Sequence, residues 1–135
     1  MHRSYLQKRY ALAVAIGAIG GALSRFYLTK GITALWGHDL RFCSTAFINV
    51  SGCLLIAYIL TLATEDRRLI SPELRLMTTT GFCGAYTSFS TYGLEAREFL
   101  IRGDFAMLLI YFIGSAIAGM IGIYIGVCLA RGKVS

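Results

Sequence analysis

Charge is scarce in the middle of this chain, and acids are its scarcest part. Only seven Asp and Glu residues stand among 135, against thirteen Lys and Arg. Residues 42–64, 76–94 and 105–130 carry no charged side chain at all, giving runs of 23, 19 and 26 residues. A fourth stretch, 10–29, is broken only by Arg25. Apart from Glu95 near one end, no carboxylate stands in this uncharged core. A proton-coupled transporter would place an acid in mid-membrane, and a cation channel would call for rings of carboxylates or carbonyls. The two histidines, His2 and His38, fall in a tail and a loop and have no partners for a metal site. The four cysteines, Cys43, Cys53, Cys83 and Cys128, form no CxxC pair and read as small buried hydrophobes. There is no phosphate loop and no nucleophile–base pair, so catalysis is not implied.

Apolar residues are abundant. They make up 56% of the chain, with a mean hydropathy of +0.65, too apolar for an ordinary soluble domain. A bilayer core needs about 20 apolar residues as a helix. The runs therefore predict an all-α membrane protein with four transmembrane helices in a single domain, residues 1–135. The 26-residue run exceeds that need, so its helix is expected to tilt or extend past the membrane. The apolar N-terminal run continues to Leu28 with no small-residue cleavage site before a soluble domain, and reads as the first transmembrane helix rather than a signal peptide. Connections are expected at roughly 30–41, 64–75 and 95–104, too short for an extramembrane domain.

The net charge of +6 does not indicate nucleic acid. Arg3, Lys8, Arg9, Arg67, Arg68, Arg131 and Lys133 flank the apolar runs, where they meet lipid headgroups. The N-terminus, second connection and C-terminus hold eight Lys and Arg; the first and third connections hold four. That bias favours both termini in the cytoplasm but leaves room for insertion in both orientations.

Small residues mark close helix packing. Gly17 and Gly21 stand in GxxxG spacing, and Gly114, Ala118, Gly122 and Gly126 recur every four residues. The segment Thr78–Thr91 is different. Seven of its fourteen residues are Ser or Thr and two are Gly, a poor helix composition inside a run long enough to cross a bilayer. Unpaired backbone groups cost several kcal/mol each in lipid, so such a segment is expected only where it is buried or lines a polar path.

The remaining polar residues pair at helical spacing: Thr45 with Asn49, Tyr111 with Ser115, and Ser88 with Thr91 and Glu95. Phe89 and Tyr92 form an aromatic pair on the third helix. Any one pair alone reads as glue between helices. Together they offer amide, hydroxyl and aromatic-edge donors, which suit a small anion whose hydration shell must be replaced without trapping it. The residues leave three readings open: an anion path, a small exporter of lipophilic cations, and a packing protein with no transport.

At this point four motifs converge. They are G-A-I-G-G-A-L-S-R-F from Gly17 to Phe26, S-T-A-F-I-N-V-S-G from Ser44 to Gly52, G-F-C-G-A-Y-T-S-F-S-T-Y from Gly81 to Tyr92, and Tyr111 with Ser115. Together they resemble the small bacterial fluoride channels called Fluc or CrcB, over nearly the whole chain. The resemblance implies a multi-pass protein of the bacterial inner membrane, an antiparallel dual-topology homodimer with two pores along the subunit interface. Its function would be passive, fluoride-selective export that relieves fluoride toxicity, with no nucleic acid or protein substrate. The third helix would be broken. A structural sodium ion at the dimer interface would be held by the backbone carbonyls of Gly84 and Thr87. The pore positions map to Asn49, Phe89 and Tyr92, with Thr45 one turn from Asn49 and hydroxyls from Ser88, Thr91, Tyr111 and Ser115. Arg25 and Glu95 map to vestibule or structural roles. Tyr92 stands where the family usually has Phe, Gly119 where some members have a second Ser, and Ala18 and Ser44 where glycine is usual.

Overall fold

The computed structural model describes residues 2–37, 40–65 and 70–134, and among them no strand occurs. Of the residues singled out above, His38, Arg67 and Arg68 lie outside the described residues. Helix α1 spans His2–Trp36, α2 Arg41–Glu65 and α6 Phe105–Val134. Between α2 and α6 the chain is divided into shorter pieces. Helix α3 (Pro72–Leu76) runs into a π-helical stretch, Met77–Cys83, and then one further turn, α4 (Gly84–Tyr86). After Thr87 and Ser88 the chain resumes as α5, Phe89–Ile101.

Three helices are long and apolar enough to cross a membrane: Tyr5–Trp36, Arg41–Glu65 and Phe105–Lys133. The remaining uncharged run, 76–94, is shared between the π stretch, α4 and the start of α5.

Two predicted connections prove shorter than 30–41 and 95–104. Helix α1 continues to Trp36, where Gly37 turns the chain at a φ of 85°. Helix α5 carries Glu95 to Ile101 before Gly103 turns it at a φ of 72°. Positive φ is the conformation for which glycine carries no steric cost. The charged residues Lys30, Arg97 and Glu98 do not end these helices, because their side chains are good helix formers.

The Thr-rich segment stays helical longer than its composition predicts, and its hydroxyls explain how. Thr78 Oγ1 donates to the carbonyls of Leu74 at 2.8 Å and Arg75 at 3.1 Å, and Thr79 Oγ1 donates to the Arg75 carbonyl at 2.7 Å. Such back-bonding competes with the regular i→i−4 ladder and accompanies its widening into a π turn. Ser71 caps the start of α3, its Oγ accepting from Leu74 N–H at 3.2 Å, with Pro72 in the first turn where a missing N–H is harmless.

Glycine sets the packing of this segment on α1. A Cβ at Gly81 would lie 2.5 Å from the Val14 carbonyl oxygen, and one at Gly17 would collide with the Met77 carbonyl. Only hydrogen at both positions lets the two backbones touch. Helix α6 packs along α2 in the same manner through Gly122 and Gly126. Gly114 opens onto empty space, so the small-residue row is used only at its C-terminal end. Many large side chains face outward, among them Phe89, Leu35, Tyr124 and Met120. Such a surface suits lipid or another apolar partner, not water.

Candidate functional site

The interruption between α4 and α5 is confined to two residues. Thr87 (φ −77°, ψ 157°) and Ser88 (φ −145°, ψ 102°) are both extended. An extended pair ends the backbone ladder and leaves polar groups needing partners in a region with little water. Some are supplied locally. Thr87 Oγ1 and Thr87 N–H both donate to the Cys83 carbonyl, at 2.9 and 3.0 Å. Ser88 Oγ accepts from Thr91 N–H at 3.2 Å and caps α5, while donating to Thr91 Oγ1 at 2.7 Å.

The rest come from other helices. Asn49, on α2, accepts from Ser88 N–H through Oδ1 at 2.9 Å, and its Nδ2 points at the Ser88 carbonyl at 3.5 Å. Arg25, on α1, brings Nη1 to 3.4 Å from the Thr87 carbonyl. Ser51 and Tyr86 share a hydrogen bond of 2.9 Å that ties α2 to α4. Gly52 lies beneath: a Cβ there would strike the Thr87 methyl group.

An open groove of about 880 Å³ runs beside this junction between α1 and α2. Five of the predicted residues, Arg25, Thr45, Asn49, Ser88 and Thr91, line it together. Thr29, Lys30 and Thr33 line it as well, and sequence reasoning missed them. The signal was available. The four-residue spacing from Arg25 to Thr29 to Thr33 marks one face of a helix, but the charge at Lys30 reads as the start of a connection.

Behind Thr45 lies a buried carboxylate. Glu95 is 4% exposed and does not line the groove. It accepts from Thr45 Oγ1 at 2.9 Å and from Tyr111 Oη at 2.6 Å, so α2, α5 and α6 meet on one side chain. The two hydroxyls replace hydration that burial removes from the carboxyl group.

Tyr111 is also the hub of the aromatic residues. Its ring lies 4.8 Å from Tyr92, 5.7 Å from Phe99 and 5.8 Å from Phe42. Phe89 follows at 6.0 Å from Tyr92 and is 85% exposed. Phe89 and Tyr92 do not line the large groove. Nor does Ser115, which shares a smaller apolar groove of about 190 Å³ with Tyr111. One copy of the chain thus brings the polar residues of α1, α2 and the break together and leaves Phe89 without a facing wall.

Among the described residues no cluster of His, Cys, Asp or Glu could hold a metal ion. The carbonyls at the break offer a different kind of donor. The N–H of Ser88, which a continuous helix would direct to the Gly84 carbonyl, goes to Asn49 instead. Gly84 is exposed, and its neighbourhood is open. Among the described residues the Thr87 carbonyl takes only the long contact from Arg25. Both oxygens thus retain lone-pair capacity of the kind that holds alkali cations in unwound membrane helices.

Residues 12–127 match the family described as CrcB-like protein, Camphor Resistance (CrcB). The chain is 45% identical over 123 residues to a protein of Trichormus variabilis named fluoride-specific ion channel FluC, covering 91% of this chain and 89% of that one. A protein of Synechocystis carrying the same name is 43% identical, covering 91% and 93%, and one from Stutzerimonas stutzeri is 40% identical, covering 91% and 98%. With a family match that takes in both the Arg25 groove and the Asn49–Ser88 junction, and relatives of this similarity along almost their whole length, the chain belongs to the CrcB family.

Proposed function

We propose that this chain is a fluoride-specific ion channel that lets fluoride leave the cell passively, down its electrochemical gradient. Its relatives carry that name over most of their length. The structural observation that carries the reading is the groove itself. It presents Thr45, Asn49, Ser88 and Thr91 beside the cations Arg25 and Lys30, with no carboxylate among its lining residues. Neutral donors can take over part of an anion's hydration shell, and fixed cations raise its local concentration without a covalent or coupled step. No catalytic group is required. In acidic surroundings HF crosses the membrane, dissociates in the more neutral cytoplasm, and leaves the anion trapped; a passive exit relieves that load.

The rest of the reading follows from what one copy lacks. Residues 1–135 form one domain with four crossings, the third interrupted at Thr87 and Ser88. The exposed Phe89, and Tyr92 beside it, acquire a second wall in an antiparallel, dual-topology homodimer, with two pores along the interface. Ser115 and Tyr111 then complete a polar track on α6. Gly84 and Thr87 fit a sodium ion at the dimer centre only if a second copy adds its own carbonyls, because two oxygens are too few for such a cation. When bound, that ion would neutralise the carbonyl ends of the interrupted helices. Lipid surrounds the assembly in the bacterial inner membrane.

Glu95 bears on the cation-exporter reading. It is the buried acid that such a protein would need, but each of its oxygens already accepts a hydroxyl. That leaves it poorly suited to release and rebind a cation. The test is fluoride release from liposomes by wild-type protein and by Asn49→Ala. The reading expects fast release by the first and a loss of at least about tenfold by the second, the size of one well-placed polar contact. No release by folded wild-type protein would contradict it.

A further inference from the structure

Lys30 is one of the two cations on this groove, and its place on α1 sets its task apart from that of Arg25. Helix α1 runs unbroken to Trp36, so Arg25, Thr29 and Thr33 share one face with Lys30 at its edge, and all four line the groove. Five residues of helix carry Lys30 about 7.5 Å beyond Arg25 along the axis, toward the groove's outer end. Its side chain is exposed and makes no ion pair among the described residues.

The acids at this end of the molecule are engaged elsewhere. Glu98 pairs with Arg41, Asp104 caps α6 by accepting from Met107 N–H at 3.0 Å, and Glu95 is buried behind Thr45; Asp39 lies outside the described residues. Arg25 is itself directed at the Thr87 carbonyl. The deep end therefore holds a cation committed to the backbone with an acid behind it, and the outer end holds a free one.

We propose that Lys30 is the anion-collecting residue at the mouth of this groove, and that its charge sets the ionic-strength dependence of fluoride entry. The inference rests on the fluoride-channel reading and assigns the residue that supplies ions to its path. A unit charge about 10 Å from an ion's route through water changes the local ion concentration by about twofold. The effect is nearly unscreened at about 0.01 M salt, where the Debye length is about 30 Å. It vanishes at about 1 M, where that length is about 3 Å.

The experiment measures initial fluoride efflux from neutral phosphatidylcholine liposomes holding equal amounts of folded protein, with an impermeant salt at equal concentration inside and out. Lys30→Gln is expected to release fluoride about 1.5- to 2-fold more slowly than wild type at the low ionic strength. Lys30→Glu is expected to be slower by about three- to fourfold, and Lys30→Arg to match wild type. All four rates should converge at the high ionic strength. Equal rates for Lys30→Gln and wild type in dilute salt would overturn the proposal, as would a deficit that high salt does not remove. A Lys30→Arg variant as slow as Lys30→Gln would overturn it too, because charge would then not be the cause. If folded wild-type protein releases no fluoride in either salt, the channel reading itself falls, and this inference with it.

Discussion

Asn49 and Ser88 clasp each other across the interruption between α4 and α5. One amide serves both sides of the Ser88 backbone, with Oδ1 accepting its N–H at 2.9 Å and Nδ2 directed at its carbonyl at 3.5 Å. For the Ser88 N–H the side chain does what the preceding helical turn does elsewhere, while the Ser88 carbonyl also accepts from Tyr92 N–H at 3.3 Å. It also stands on the groove, so holding the backbone and presenting a donor fall to the same residue.

Those two tasks separate under substitution. Asn49→Asp keeps an acceptor for the Ser88 N–H but places a negative charge on the groove. It should fold and lose fluoride release by more than about tenfold. Asn49→Ala should lose release and also about 1–3 kcal/mol of stability, the cost of an unsatisfied buried group. Efflux and detergent unfolding curves on the same samples check both.

Phe89 gives the opposite pattern. At 85% exposure it contributes little packing within one copy. Phe89→Ile should therefore leave the unfolding midpoint of a monomeric sample within about 0.5 kcal/mol of wild type, as for surface substitutions generally. Fluoride efflux should fall sharply if a second copy closes a path over it. Unchanged efflux would remove Phe89 from the pore assignment.

Glu95 ties Thr45 to Tyr111. Tyr111→Phe keeps the ring against Tyr92, Phe99 and Phe42 and removes one buried hydrogen bond to the Glu95 side chain. It should cost about 1–3 kcal/mol. The loss should be non-additive with Glu95→Ala by about 0.5–3 kcal/mol, because the two changes remove the same bond. A double-mutant cycle by denaturant unfolding in detergent measures the coupling.

Gly81 tests the contact between α1 and the π stretch. Gly81→Ala places a methyl 2.5 Å from the Val14 carbonyl oxygen and should destabilise by about 1–3 kcal/mol, the usual cost of overpacking. Gly31→Ala meets nothing within 4 Å and should be neutral or stabilising by up to about 1 kcal/mol. Thermal unfolding of the two variants side by side gives the answer.

The sequence carried these features unevenly. The uncharged runs marked α2 and α6, and the nearly uncharged stretch 10–29 marked α1, because a lipid-facing helix leaves its apolar demand in the composition. The Ser and Thr content of Thr78–Thr91 pointed to an abnormal helix. It did not tell that Thr78 and Thr79 would bond their own preceding turns and keep the segment helical as far as Tyr86. The partnership of Thr45 with Glu95 spans fifty residues, and no local pattern encodes it. Lys30 was missed for a simpler reason. A charge after an apolar run looks like the end of a helix, whereas here it lies on a polar face of α1 that continues to Trp36.

Selective fluoride conduction is open to a direct test by ion release from proteoliposomes. Vesicles loaded with fluoride or with chloride, with valinomycin supplying a potassium counter-path, would be compared using purified, folded protein. Rapid loss of fluoride and retention of chloride are expected. Retention of both anions, or equal loss of both, would contradict selective conduction.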